Sequence, residues 1–468
     1  MSRSGHTYLD HLTDFGIKLG LDKMRFILTK LGNPQKKYSS ILIAGTNGKG
    51  SVANFITNCL KENNYKVGFY TSPHLIGVEE RIRINGKPIP SRIFDNLCLE
   101  VKNLCMELQV EMQPTYFEAL TAVAFEYFAR EKIDVCVCEV GMGGRFDATN
   151  VIDADLQVIT PISYDHMDYL GNSIQEIAFE KAGIIKQDST VVSGKQILEA
   201  EKVLKRICKQ RNSKIFLYGK DFSARVVCSN SLDGQVFNFI GIEKLKNVSI
   251  KMLGRYQVHN AAVAIESLFA LKKKGFRIEN NAILKGMQNA FWPARFHLIM
   301  RNPLVILDGA HNPAGIISLK QTLKFYFPDK KFVFLIGILK DKKWITDIAD
   351  VFKSDFKRGS FVSQYCESNT EMDSDRLHDI LDNLIAIKNR QIGVITLDKE
   401  LTIDEVTEIF IRINSQGAKL NQSDFAMSKI AANTKYGGNA LRKAIDYFSH
   451  LAVQPDWYHE MTKDKDFM

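Results

Sequence analysis

ILIAGTNGKGS, from Ile41 to Ser51, is an apolar run that breaks into a glycine-rich turn carrying a lysine and a hydroxyl. A strand, such a turn and then a helix is an arrangement that gathers phosphate oxygens. Backbone N–H groups freed by Gly45, Gly48 and Gly50 converge on the anion, Lys49 adds a point charge, and the Ser51 hydroxyl suits a magnesium ion held by the phosphates. The helix that follows adds the positive end of its dipole. The common phosphate loop reads G-x-x-x-x-G-K-[ST], whereas here Gly50 separates Lys49 from Ser51. An ordinary tight strand-to-helix turn is the competing reading, and the lysine and hydroxyl together weigh against it.

The 468 residues suffice for about two or three domains, and the 45% hydrophobic content is ample for buried cores. No apolar run reaches the roughly 18 residues of a membrane span, and the opening MSRSGHTYLDHLTDFG lacks the apolar stretch of a signal peptide. A cytoplasmic protein without membrane contact is therefore expected. Eight cysteines lie scattered with no C-x-x-C pair, which speaks for reduced core thiols rather than zinc or disulfides. The net charge of +9 is dispersed along the chain, which fits a solvated surface and anionic small substrates, so nucleic acid is not an expected partner.

Beyond the loop, strand-like segments at Lys66–Ser72, Asp134–Gly141, Asp155–Ile162 and Thr190–Lys195 alternate with helical patterns over Val52–Glu62, Ser91–Leu108, Tyr116–Arg130 and Ile174–Ile185. That alternation predicts an α/β fold with a parallel sheet wrapped by helices, its strands apolar on both faces. An antiparallel extension is expected over Ser213–Ile250, then a helix near Gln257–Lys274. A second α/β unit is read as starting near Leu304, with VILDGAHNP opening a helix and FVFLIGI (Phe332–Ile338) as its next strand.

Ligands gather where the strands of such a sheet end. Glu139 precedes the turn GMGGRFDATN, and Asp165 and His166 follow the strand ending at Ile162. With Ser51, Glu139 and His166 offer a hydroxyl, a carboxylate and an imidazole for magnesium. A satisfied structural histidine competes for His166, and an ion pair with Arg145 competes for Glu139. Arg295 in WPARF could neutralise a transferring phosphoryl group, or form a linker salt bridge. Asp308 and His311 in DGAHNP could reach a nucleotide, or DGAHNP is a capped turn. TSPHLIGVEERIRINGKPI (Thr71–Ile89) reads as a mobile loop with a short hairpin at Asn85-Gly86, either capturing substrate or simply lying on the surface. Lys181, amid apolar neighbours, either snorkels or is carried inward with a lowered pKa.

Taken in order, GLDKMRFILTKLGNP, AGTNGKGS, TSPHL, ERIRING, TYFEALTAVAF, EVGMGGRFDATN, ITPISYDHMDYLG, IAFEKAGIIK, GRYQVHNAAVA, WPARF, LDGAHNP and GILKDK resemble the folylpolyglutamate synthase and dihydrofolate synthase family, relatives of the Mur peptide ligases. TSPHL and ERIRING set it apart from the cell-wall Mur ligases. The resemblance spans residues of about 1–355, roughly the first three quarters of the chain. It implies a P-loop, Mur-ligase-type ATP-binding central domain (1–296), then a truncated Rossmann-like domain (297–356). The implied reaction adds L-glutamate to a reduced folate or to dihydropteroate through an acyl phosphate, with ATP and Mg2+, in a monomer. By motif correspondence Thr46, Asn47, Gly48, Lys49, Gly50, Ser51, Asn260, Arg295 and Asp308 hold ATP, and Ser51, Glu139 and His166 hold magnesium. Ser72, Pro73, His74 and Arg81 would bind the acceptor; Lys49, Lys181, Arg295 and His311 would carry the chemistry, Lys181 matching a lysine that can be carbamylated. The family often has P-G-R-x-E where this chain has Ala294 for the glycine and His297 for the acid.

Beyond about Phe356 the family pattern is lost, and 376–468 reads as a mostly helical appendage of foreign origin. FIRINSQGAKLNQSD (Phe410–Asp424) resembles a segment of ParB-like nuclease proteins of restriction and phage defence, without the D-G-Q-Q-R segment of that family, so nuclease activity is not implied. A helical appendage with a capped turn is preferred for this stretch. The alternative to an active ligase is thus a nucleotide-binding, ligation-deficient hybrid with a defence-protein fragment. Transcripts read across Lys353–Arg376 test the fusion: a break there discards the continuous chain.

Overall fold

A computed structural model describes residues 4–12, 20–106, 113–301, 304–328 and 330. The chain divides into Met1–Asp329 and Lys330–Met468, and every element named here belongs to the first. The segments FVFLIGI and 376–468, for which a strand and a helical appendage were expected, lie outside the described residues.

In chain order the elements are α1 (Ser4–His11), α2 (Asp22–Lys30), β1 (Ser39–Ala44), α3 (Lys49–Glu62), β2 (Val67–Tyr70), β3 (Ile82–Ile84), β4 (Lys87–Pro88), α4 (Ser91–Cys105), α5 (Tyr116–Arg130), β5 (Val135–Glu139), β6 (Leu156–Ile159), α6 (Met167–Leu170), α7 (Ile174–Ala182), β7 (Thr190–Ser193), α8 (Leu198–Gln210) and β8 (Lys214–Leu217). They continue with β9 (Ser223–Ser231), β10 (Gly234–Ile240), β11 (Lys244–Ile250), α9 (Arg255–Lys273), α10 (Asn280–Asn289), β12 (His297–Arg301), β13 (Leu304–Leu307) and α11 (Pro313–Tyr326). The main sheet runs β4-β3-β2-β5-β1-β6-β7-β8, parallel from β2 to β8. β3 and β4 form an antiparallel hairpin turning at Asn85-Gly86, both at positive φ, as that dipeptide predicts.

β1 is central, and its alternation is apolar on both sides. Leu42 and Ala44 pack in one core with Cys136 and Cys138 of β5, Ile41 and Ile43 in the other with Val135 and Val137. The first core takes in α4, α5 and α7, the second α3 and α9, so the sheet is covered on both faces. β1 lies between β5 and β6, so the loops leaving all three carboxyl ends share one crevice, a switch point of the kind where α/β sheets bind ligands.

Three expectations change. α3 begins at Lys49, not Val52, because Gly48 takes the left-handed conformation that starts the first turn there. Within Ser213–Ile250, β9–β11 are antiparallel as expected but form a separate three-stranded sheet, whereas β8 pairs parallel with β7 as the main sheet's last strand. Edge strand β8 is only partly covered, so its four residues do not show the run of buried apolar positions that marks the central parallel strands. Finally, β12 precedes β13 and pairs antiparallel with it, so strand structure resumes before Leu304. Among the described residues no helix is long and apolar enough to cross a membrane.

α9 carries a fully buried carboxyl, Glu266, whose Oε2 accepts the Ile242 N–H at 3.1 Å while Oε1 meets no hydrogen-bond partner among the described residues. Burial pushes it up to about 7 from 4.5, with the Ile242 N–H opposing. A carboxyl raised on folding contributes stability that is present below pH 4.5 and lost as pH rises through about 7. Denaturant titrations of Glu266→Gln and the parent chain should therefore diverge with pH, the glutamine variant gaining about 3 kcal/mol relative to the parent between acid and mildly alkaline conditions.

Candidate active site

The loop after β1 is shaped by close approach. Gly48, at φ 92°, would place a Cβ 2.6 Å from Asn260 Oδ1, so both its conformation and its surroundings demand glycine. A Cβ on Gly50 would stand 2.9 Å from Trp292 Nε1 and 3.3 Å from Glu139 Oε2. The extra glycine between Lys49 and Ser51 thus makes room for Glu139 and an indole over the first turn of α3. Thr46 pins the loop to the segment after β6, its hydroxyl donating to Ser163 O at 3.0 Å and accepting the Ser163 N–H at 3.1 Å.

Lys49 turns its ammonium onto the carbonyls of Gly45 (3.3 Å) and Thr46 (3.2 Å), 4.0 Å from Glu139 Oε1. Glu139 ends β5, buried, and burial raises its pKa against the charges of Lys49, Arg295 and Arg81 and the Ser72 N–H. Its competing partner is taken elsewhere, since Arg145 forks onto Glu180, with Nη2 2.7 Å from Oε1. Lys181 on α7 is carried inward, not snorkelled: it is 4% exposed and donates to Gly45 O at 2.9 Å. Burial and the Lys49 charge bring it down to about 7, with Asp165 and Asp147 opposing.

Ser51 is buried on the first turn of α3, and its Oγ accepts from Gln257 Nε2 at 3.3 Å. Gln257 in turn accepts from Asn260 Nδ2 at 3.0 Å. The i, i+3 spacing puts both amides on one face of α9, against the loop. His166 opens α6 in a left-handed conformation, its Nε2 4.0 Å from Asp165 Oδ1. Asp165 Oδ2 lies 3.6 Å from His311 Nε2. In the Thr71–Ile89 loop, Arg81 donates to His74 Nδ1 at 2.9 Å and its guanidinium lies 5.7 Å from the centre of the Tyr116 ring. Burial and Arg81 hold His74 below the usual imidazole range.

Asp308 forms the capped turn that was one of its two readings: Oδ2 accepts the Phe296 N–H at 2.7 Å and Oδ1 the Ala310 N–H at 2.8 Å. This clamp holds WPARF against DGAHNP and sets Arg295 within the field of Glu139 and Asp308. His311 Nδ1 lies 2.8 Å from Gly309 O. Ala294 sits at φ 55°, a left-handed position that glycine takes without strain. Two residues at the site, Gln257 and Trp292, were not singled out from sequence, and Asn312 was read there only as part of a capped turn, which it is, without its bonds to Asn47 and Asp165. Each stands within a quoted motif, but side-chain burial and cross-segment bonding leave no mark on composition. Among the described residues no three or more of His, Cys, Asp and Glu cluster as a metal site. The donors that could serve magnesium are the Ser51 hydroxyl and Glu139 carboxylate flanking Gly50, with His166 after β6. An oxygen-poor protein set of this kind suits an ion that draws most of its ligands from phosphate and water.

A glycine-rich loop after a central parallel strand, met by a carboxylate from the adjacent strand, is the fold and site of an α/β ligase of the Mur type. The Mur ligase middle domain matches residues 43–268, and the Mur ligase glutamate ligase domain matches 294–407, further than the motif boundary near Phe356. The chain is 40% identical over 337 residues to dihydrofolate synthase/folylpolyglutamate synthase of Bacillus subtilis, covering 70% of this chain and 78% of that protein. Folylpolyglutamate synthase from Thermotoga maritima superposes with a TM-score of 0.66 at 37% identity, over 75% of this chain and 82% of that one. The Mycobacterium tuberculosis folylpolyglutamate synthase complexed with ADP gives 0.69 at 33% identity, over 82% and 92%. A further FPGS structure, in complex with AMPPCP and folate, gives 0.68 at 33%, over 76% and 88%. The chain belongs to the folylpolyglutamate synthase/dihydrofolate synthase family.

Since Ala294 bears left-handed strain that glycine does not, Ala294→Gly should raise the unfolding free energy by about 1 kcal/mol, read from denaturant midpoints.

Proposed function

We propose that this protein is an ATP-dependent carboxylate–amine ligase that joins L-glutamate to a reduced folate or to dihydropteroate. The observation that carries the reading is the convergence on one loop: Lys49 is 4.0 Å from Glu139, and Lys181 is bonded to Gly45 O of the same turn. The relatives named for this activity, and similar structures holding ADP or AMPPCP with folate, support it.

In this mechanism the amides of 45–51 and Lys49 hold the triphosphate, with Asn260 and Asp308 on the nucleotide. Ser72, Pro73, His74 and Arg81 orient the acceptor carboxylate. A carboxylate oxygen attacks the γ-phosphorus, the bond to the β-bridging oxygen breaks, and ADP leaves an acyl phosphate. Arg295 and His311 offset the charge that builds on the transferring group, an effect that grows when water is excluded. The glutamate amine then attacks the acyl carbon, loses a proton and expels phosphate, leaving the amide. Ser51, Glu139 and His166 would hold magnesium, which when bound neutralises phosphate charge and keeps the oxygens in line. A monomer in the cytoplasm accords with small soluble substrates.

Lys181 near neutrality is poised for carbamylation: its neutral amine takes up carbon dioxide and releases a proton, replacing a cation with a carboxylate. Raising the pH through about 7 increases the neutral fraction, so bicarbonate should restore activity to carbon-dioxide-depleted enzyme more fully at alkaline than at acid pH. Lys181→Arg, which cannot lose its charge, should be inactive and unresponsive.

The direct test uses purified protein with ATP, magnesium, glutamate and each acceptor, products resolved by mass. Phosphate release that needs both acceptor and glutamate is expected. Nucleotide binding without any ligated product would overturn the proposal.

A further inference from the structure

We propose that Asn312 is a latch that couples occupancy of the 45–51 loop to the alignment of the segment carrying Arg295, Asp308 and His311. Asn312 is 1% exposed at the start of α11. Its Nδ2 donates to Asn47 Oδ1 and to Asp165 Oδ2, each at 3.0 Å. Its Oδ1 accepts from Asn47 Nδ2 at 3.0 Å and from the Gly315 N–H at 2.9 Å. Both donor hydrogens and both acceptor lone pairs of one amide are therefore used. The orientation follows from chemistry, because the Gly315 N–H needs an acceptor and a flipped amide would set its own N–H against it.

That single side chain joins three segments: the loop after β1, the segment after β6 and the N-terminus of α11. Asn47 lies between Thr46 and Gly48, inside the turn that would wrap the phosphates, so the turn cannot shift without breaking a reciprocal amide pair. On the other side, Asn312 adjoins His311 and lies within the DGAHNP turn that Asp308 clamps to Phe296. Buried and saturated, the pair favours one arrangement over partly bonded ones. A ligand that orders the loop therefore orders the segment, and by linkage the ordered segment tightens ligand binding. Asn312 acts here as a positioning residue. Capping is separable from latching: serine retains an N-cap acceptor for α11 and lacks the amide that reaches Asn47 and Asp165.

The inference rests on the loop binding nucleotide, so the experiment measures both. AMPPCP with magnesium is titrated calorimetrically into the full chain, Asn312→Ser, Asn47→Ser and the double variant. Backbone hydrogen exchange of 308–316 is followed with and without AMPPCP. Each single variant should weaken binding about tenfold, and the double variant about as much rather than a hundredfold, since both remove the same bonds. AMPPCP should slow exchange across 308–316 in the parent and leave it unchanged in Asn312→Ser. Parent protein that binds no AMPPCP overturns the nucleotide reading of the loop, and the latch with it. Parent binding accompanied by unchanged singles, additive losses, or equal exchange protection in Asn312→Ser overturns the latch alone. Should Asn312→Ser fail to fold, Asn47→Ser tests the same pair from its other end by the same exchange readout at saturating AMPPCP, where any direct contact of Asn47 with the nucleotide no longer limits binding.

Discussion

The in-register parallel pairing of β1 with β5 is the constraint from which the site follows. Ile43 stands opposite Glu139, so β5 delivers its terminal carboxylate at the level where β1 gives way to its glycine turn. With β6 paired on the other side of β1, the Thr160–His166 segment starts from the same height. No long-range adjustment is needed to bring Lys49 and Glu139 within 4.0 Å; the backbone ladder sets the distance, and Gly50 leaves room for it. Covering both faces of the sheet with helices keeps this ladder dry and rigid, which is why the end of a strand can hold a carboxylate in place.

Burial gives the site its electrostatic character. Lys49 and Lys181 crowd one turn, both bonded to Gly45 O, and their repulsion adds to desolvation in lowering Lys181. The same desolvation raises Glu139 and Asp308. Each charge is held by others nearby: Glu139 by Lys49, Arg295 and Arg81, Lys181 by Asp165 and Asp147. In low dielectric these interactions are stronger than at a surface, and a triphosphate and a cation entering the site would meet preset charges rather than induce them. The backbone around them is equally prearranged, with Thr46 tied to Ser163 and Asn47 to Asn312.

Much of this was legible in the chain. The helix Tyr116–Arg130 has the limits its periodicity indicates, because Thr115 and Glu118 form a capping box that marks the start in residue types alone. The Asn85-Gly86 hairpin was equally plain, since that dipeptide tolerates positive φ at both positions. β8 and β12 were less so: strands of four and five residues with a partly open face carry too little pattern to say which neighbour they pair with, or whether that neighbour is parallel. Among site residues, Lys49, Ser51 and Glu139 stood out by type and place. Gln257 did not, and Asn312 did so only as a cap, because a neutral amide acquires its wider role only through its partners.

The sequence by itself determined the strand, glycine turn and helix of the loop, the α/β alternation and the motif series of the family, because local propensity and periodicity are written in neighbouring residues. It left open whether Glu139 met Arg145, whether Lys181 snorkelled, and whether Asp308 capped a turn. Tertiary structure decided those: Arg145 found Glu180, Lys181 was folded under the loop, and Asp308 clasped Phe296 and Ala310. The physical reason is that the pKa of a charge and the partner of an amide depend on groups brought close from far along the chain, and strand order, which no local pattern encodes, selects those groups.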